Sequence, residues 1–234
     1  MIQPVSVQTL QEMKAYYRQR ASEYDESYCR QGHYDRGPEM NARWFAELDE
    51  VFAALDAFHL AGEVLELAAG TGIWTKRLVR TASTVTAVDA SPEMLAINRA
   101  KVASHRVRYV LADLFSWHPE HVYDAVFFGF WLSHVPRERL DDFLRSCVSM
   151  LHPAGKVFFV DSRRPPNAPG APHQATVLES QVVVRTLRDG RTFEVVKNLY
   201  DATDLTARCT GAGFDLIVCQ TATHFLYGSG ARRR

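Results

Sequence analysis

The chain has 234 residues, the length of one domain and enough to bury a substantial core without disulfide or metal staples. Lysine plus arginine and aspartate plus glutamate number 27 each, so no global attraction to nucleic acid or to a membrane surface follows from charge. Cys29, Cys147, Cys209 and Cys219 show neither C-x-x-C pairing nor zinc spacing, and no apolar run of about eighteen residues or apolar core after a basic start exists; reduced thiols in a cytoplasmic protein, without membrane span or secretion signal, are expected.

A tyrosine-rich helix is expected over 9–28, followed by the polar stretch QGHYDRGPE at 31–39 and a long amphipathic helix near 40–58. From 63 onward apolar runs alternate with amphipathic ones. Strands are expected near 63–67, 84–88, 107–111, 123–129 and 155–160, with helices near 72–80, 92–102 and 137–151 between them. Ser91-Pro92-Glu93 is a helix start with proline in the first turn, and His152-Pro153-Ala154-Gly155 reads as a stop before the fifth strand. Such alternation argues for a doubly wound, mostly parallel sheet. The prolines of 162–174 mark a loop, and Asp189-Gly190 between 181–188 and 191–199 marks a hairpin, expected at the acceptor side or at an oligomer contact. A helix near 201–211 and strands near 214–222 and 224–228 close the chain.

The segment VLELAAGTG at 64–72 carries the strongest functional signal. An apolar strand ends in a turn that glycines allow to bend tightly and to approach a ligand, with the start of a helix behind it. A second strand ends in Asp89, nineteen positions after Gly70. Strand, glycine turn, helix, strand and terminal acid are the parts of a nucleoside-binding unit, with the acid at the ribose hydroxyls. Two details depart from the dinucleotide fingerprint: Thr75 stands where G-x-G-x-x-G has its third glycine, and a carboxylate, Glu66, sits inside the apolar strand, where it needs a partner.

The pattern Glu66-x-Ala68-x-Gly70-x-Gly72 resembles the first motif of the class I S-adenosylmethionine-dependent methyltransferases, in their small-molecule form. Further motifs follow in order over about one hundred residues: DASPEMLAINRA (89–100), YVLADLFSW (109–117), YDAVFFGFWLSHVP (123–136) and LHPAGKVFFVDS (151–162). The resemblance implies a Rossmann-like fold, a doubly wound, mostly parallel seven-stranded sheet ending in an antiparallel pair. It carries an N-terminal helical lid over 1–60, a cofactor core over 61–161, the added loop and hairpin over 162–200, and the closing helix and strands over 201–234. It also implies S-adenosylmethionine as cofactor, S-adenosylhomocysteine as product, and methyl transfer to an oxygen or nitrogen of a small, planar or aromatic metabolite. The alternatives are other chemistry on the same cofactor, such as cyclisation, and a non-catalytic scaffold. A monomer or homodimer without nucleic-acid or membrane partners is expected.

On this resemblance Glu66 orders the turn, Asp89 holds the ribose, Ala90 and Met94 flank the adenine, and Asp113 with Leu114 meets its amino group. Ala68, Gly70 and Gly72 offer backbone N–H groups to the methionine carboxylate, while carbonyls near Phe128 and Gly129 accept from its ammonium. Trp74 either packs on the methionine end or fills the helix–sheet interface. Tyr17, Arg20 and Tyr24 form the cofactor side of the lid, unless that helix is simply packed on the sheet rim. Phe130, Trp131, Tyr28, Tyr34 and Arg163 are assigned to the acceptor. His134 is the candidate general base, with the alternative of a structural hydrogen-bonder; Asp161, His33 and His173 are further candidates. The aromatic end of the fourth strand leaves no metal site.

Overall fold

The structure, a computed structural model, describes residues 4–163 and 180–234. Seven strands form one sheet: β1 (Gly62–Leu67), β2 (Ala82–Asp89), β3 (Val107–Leu111), β4 (Tyr123–Gly129), β5 (Leu151–Ser162), β8 (Phe214–Gln220) and β9 (Phe225–Arg232). Their order is β3-β2-β1-β4-β5-β9-β8, with β9 antiparallel to both neighbours and the other pairings parallel. The strand order reverses between β1 and β4, where open α/β sheets bind ligands. A separate hairpin pairs β6 (Val182–Thr186) with β7 (Thr192–Val196).

Because parallel strands are buried on both faces, their side chains alternate between two cores. Leu65, Val126, Phe128 and Phe159 face α6 (Leu140–Ser149) and α7 (Ala202–Ala212). Val64, Phe127 and Phe158 face α3 (Pro38–Phe58) and the short α4 (Thr75–Leu78). The β4–β5 register puts Phe127 beside Phe158 and Phe128 beside Phe159, and the second pair stacks at 5.2 Å with planes only 2° apart. α5 (Pro92–Val102) starts as the sequence predicts: Ser91 Oγ accepts from the Met94 N–H and Pro92 occupies the first turn.

The helix expected over 9–28 is broken in two. α1 (Val7–Gln19) ends at Arg20, a 3₁₀ turn spans Ala21–Glu23, and α2 (Tyr24–Cys29) follows in a new direction. One straight helix cannot serve both halves: Leu10, Met13 and Tyr16 pack on the hairpin, whereas Tyr24 and Tyr28 pack at the rim of the main sheet. The helix expected near 72–80 shortens to the single turn of α4 because the chain from Ala68 to Gly72 is still turning. His152–Gly155 is not a stop before β5 but a bulge within it. Tyr123 pairs with Leu151 and Ala125 with Lys156, and Ala154 at φ +62° absorbs the extra length. Most of the proline-rich loop, with His173, lies outside the described residues.

Candidate functional site

The turn after β1 is left-handed at Ala68, Gly70 and Gly72 (φ +54°, +52° and +88°). Two side chains lock it. Asp89 accepts from the Gly70 N–H (2.9 Å) through one carboxylate oxygen and from the Ser91 N–H (2.8 Å) through the other, tying the turns after β1 and β2 together. Asn98, fully buried on α5, donates to the carbonyls of Ala69 and Gly70 and to Thr75 Oγ1, and accepts from the Tyr109 hydroxyl. A β-carbon on Gly72 would stand 2.6 Å from Asn98 Oδ1, so glycine is required there twice over.

Above this turn lies a cavity of about 700 Å³, counting its mouth, at the C-terminal edge of β1, β2, β3 and β4. Ala68, Gly70, Asp89, Ala90 and Met94 form one side. Asp113 and Leu114 close the far end, and Gly129, Phe130, Trp131 and His134 the near one. Tyr17 and Tyr24 of the lid cover it, and Lys14 of α1 reaches across to the Asp113 carboxylate. Burial raises the Asp89 pKa while the N–H groups of Ser91, Gly70 and Ala90 pull it down.

Other predicted residues stand apart from this cavity. Glu66 lies beneath the turn, 1% exposed, where burial, outweighing the donors of Thr75, pushes its pKa up to about 8. Trp74 fills the interface between α3 and the sheet against Phe52 and Phe127, and its indole N–H donates to the Tyr28 hydroxyl at 2.8 Å. Phe128 points into the core. Arg163 donates to the carbonyls of Thr221 and Ala222 at the β8–β9 turn, away from the cavity.

A second chamber adjoins the first, about 1330 Å³ with the open space above it. Tyr17, Tyr24, Phe130 and His134 line both. Arg20, Tyr28, His33 and Tyr34 line only the second, with Arg185 of β6 and Lys197 beyond β7. His134 is pinned. Its Nδ1 lies 2.6 Å from the Val196 carbonyl, which only accepts, so Nδ1 carries the proton and Nε2 accepts from the Tyr17 hydroxyl at 2.8 Å. Burial foremost, then Lys197, drives the His134 pKa well below its ordinary value, so the ring is neutral. Asp161, buried behind the chamber, accepts from the Ser133 and Ser162 N–H groups and faces Lys197 at 3.7 Å. His33 stands at the exposed rim, its ring 3.9 Å from that of Tyr34.

Asn98, Lys14, Lys197 and Asp25, which accepts from Thr71 Oγ1 and Lys101, escaped the sequence reading. Asn98 left a signal, an amide on the buried face of α5 beside Met94 and Leu95. The others acquire their roles from segments distant in sequence. Among the described residues no cluster of three or more His, Cys, Asp or Glu side chains is placed to hold a metal ion.

The first cavity fits a nucleoside. Each Asp89 oxygen keeps a lone pair for a hydroxyl, the Trp131 indole N–H is buried on the cavity wall without a partner, and Met94, Leu114 and Phe115 offer apolar contact to a planar base. The aromatic residues Tyr17, Tyr24 and Phe130 line the cavity, and aromatic rings suit a sulfonium.

A family described as a methyltransferase domain matches residues 64–155. A solved complex of DhpI with SAH is 36% identical to this chain, covers 98% of it and 99% of its own length, and superposes with a TM-score of 0.76. The DhpI–SAM–HEP complex superposes at 0.78, with 36% identity over 97% of this chain and 99% of its own. A demethylmenaquinone methyltransferase of Clavibacter sepedonicus is 37% identical over 112 residues, covering 46% of this chain and 44% of the relative. A ubiquinone biosynthesis O-methyltransferase of Xanthomonas oryzae pv. oryzae is 33% identical over 126 residues, covering 52% and 51%. The chain thus spans about half the length of the curated relatives it matches, and nearly all of DhpI. With motif order, sheet topology and bound SAH or SAM in the full-length neighbour all in agreement, S-adenosylmethionine is the cofactor, and the chain belongs to the class I S-adenosylmethionine-dependent methyltransferases.

Proposed function

We propose that this protein transfers a methyl group from S-adenosylmethionine to an oxygen or nitrogen of a small, planar molecule held in the second chamber. The observation that carries the reading is the shared wall: Tyr17, Tyr24, Phe130 and His134 belong to both chambers, so a donor in one faces an acceptor in the other. Aromatic rings of Tyr16, Tyr28, Tyr34 and Trp44 give the second chamber flat surfaces.

The bound cofactor supplies a methyl group already activated by its sulfonium. What remains for the protein is alignment, for which orientation contributes on the order of 7–11 kcal/mol. Asp89 and the turn it braces hold the donor side, while Phe130 (φ +56°, 5.5 Å from the Tyr28 ring) and the lid tyrosines exclude water and fix the approach. His134 holds Tyr17 in the dividing wall.

Calorimetry with S-adenosylmethionine tests the donor half: wild-type binding that Asp89→Ala weakens by about 10–100-fold is expected. Incubation with methyl-labelled cofactor and a panel of small acceptors tests the transfer half. Tight cofactor binding with no labelled product from any acceptor favours cyclisation-type chemistry or a scaffold instead.

A further inference from the structure

We infer that the acceptor is an oxyanion, carboxylate or phosphoryl, that the second chamber holds by its charge and that takes the methyl on its own anionic oxygen. This rests on the methyl-transfer reading above and narrows it.

Charge is the first ground. Arg20, Arg30, Arg36, Arg185 and Lys197 line the chamber, and among the described residues no aspartate or glutamate does, in a chain with equal numbers of basic and acidic residues. These cations come from the end of α1, the segment between α2 and α3, β6, and the segment after β7, so they converge only in the folded chain. Of these five cations only Lys197 has a carboxylate within 4 Å among the described residues, Asp161 at 3.7 Å. Arg188 and Arg191, outside the chamber, are instead paired with Glu26 and Asp189. Arg20 donates to the Tyr34 hydroxyl at 2.8 Å and lies 5.2 Å from the Tyr24 ring. Arg30 lies 3.5 Å from the Trp44 ring, its Nε–H buried without a partner. The positive field is felt by its members: after burial, Arg36 is what pushes the Arg30 pKa down, and Lys197, Arg185 and Arg20 all push down that of His134. Charge-assisted contacts to carboxylate or phosphate are what converging guanidinium groups supply.

The second ground is that, among the described residues, the dividing wall holds no free base. His134 spends Nδ1–H on Val196 and Nε2 on Tyr17. Asp161 is committed to two backbone N–H groups and Lys197. Burial pushes the phenols of Tyr17 and Tyr28 far up and that of Tyr24 up to about 12. An acceptor that arrives ionised needs none of them. A lone pair on its anionic oxygen forms the new O–C bond, and the C–S bonding pair stays on sulfur. The sulfonium becomes a neutral thioether, the oxyanion becomes a methyl ester with one negative charge fewer, and no proton moves. The loss of charge also loosens the chamber's hold on the product.

The test uses three ring compounds of one shape on the protein loaded with S-adenosylhomocysteine: benzoate, phenyl phosphate and neutral benzamide. By calorimetry, at least one anion is expected to bind about tenfold or more tightly than benzamide. Whichever anion binds better identifies carboxylate or phosphoryl as the natural group. Arg185→Gln, on the exposed hairpin, and Arg20→Gln should each remove most of that preference, while Arg145→Gln on remote α6 leaves it. Thermal melting of Arg185→Gln should match wild type, which separates lost charge from lost folding. Benzamide binding as tightly as both anions, or a preference that survives both chamber substitutions, would overturn the inference. So would labelled methyl found only on neutral acceptors, a result that leaves methyl transfer standing; loss of cofactor binding would count against methyl transfer itself.

Discussion

The Tyr17 hydroxyl and His134 Nε2 meet at 2.8 Å on the wall between the two chambers, and the Val196 carbonyl on the other side of the ring decides which of them gives the proton. The pair therefore behaves as one unit, a neutral imidazole that orients a phenol, rather than as a free base beside the acceptor.

Removing either partner should accordingly cost the same thing. Tyr17→Phe and His134→Asn are each expected to lower kcat on the order of tenfold, and the double variant no further, because the two act through one contact. S-adenosylhomocysteine affinity should change by less than about threefold, since neither side chain is needed to hold the turn at 68–72. Additive losses in steady-state kinetics would mean that the two work separately.

The same ring sets an acid limit on stability. The folded His134 pKa is below its unfolded value, so the folded state binds fewer protons, and its contribution is present above pH ~6.5 and lost as pH falls. Urea unfolding of wild type between pH 7 and pH 5 should therefore show a loss of stability that His134→Asn reduces. Equal pH slopes in the two proteins would rule this out.

Glu66 runs the other way. Its pKa is pushed up to about 8 in the fold by burial, against an ordinary value of 4.5, so the folded state binds an extra proton between these limits. Its contribution is full below pH ~4.5 and is lost as pH rises through 8. Glu66→Gln keeps the shape without the charge, so at pH 9 the variant should be the more stable by on the order of 2 kcal/mol or more, with the gap closing toward pH 5. Denaturant midpoints measured at both pH values check the sign.

Local patterns were legible in the sequence, and long-range convergence was not. The strands announce themselves as apolar runs because parallel strands bury both faces, and Asp89 and the glycine turn announce themselves because the nucleoside unit is local, complete within the chain from Val64 to Asp89. The break at Arg20 has no glycine or proline to mark it and follows from what α1 and α2 pack against. Arg20, Arg185 and Lys197 meet only because the hairpin folds back on α1, so no linear pattern could reveal a cationic chamber. Trp74, next to the glycine turn in sequence, is turned away from the cavity by the start of α4.

That placement of Trp74 has its own consequence at Gly129. A β-carbon there would stand 2.8 Å from the indole Nε1 and 3.0 Å from Cδ1, and the ring cannot yield because Phe52, Phe127 and the Tyr28 hydroxyl hold it. Gly129→Ala should cost about 1–3 kcal/mol by overpacking. Trp74→Phe alone should also destabilise, by a vacated volume and an unpaired Tyr28 hydroxyl. In the double variant the smaller ring makes room for the methyl group, so the combined loss should fall short of the sum. Additive losses in chemical denaturation would show that Gly129 is constrained by something other than the indole.

Asp25 joins the lid to the glycine turn and to α5. From α2 it accepts from both the Thr71 hydroxyl of the glycine turn and the Lys101 ammonium at the end of α5, so one carboxylate clamps the lid to the donor site. Neither partner touches the second chamber. Asp25→Asn keeps an acceptor for Thr71 but gives up the ion pair, which is part-exposed and worth no more than about 1 kcal/mol in itself. Its larger effect is on the population of the closed lid. Stability should therefore fall by less than about 1 kcal/mol, while S-adenosylhomocysteine leaves about 3–10-fold faster. Thr71→Val, which removes the other contact, should do the same with Lys101 intact. Stopped-flow dissociation measured beside chemical denaturation distinguishes the two quantities: a dissociation rate unchanged in both variants would mean that Asp25 braces the fold and leaves the lid alone.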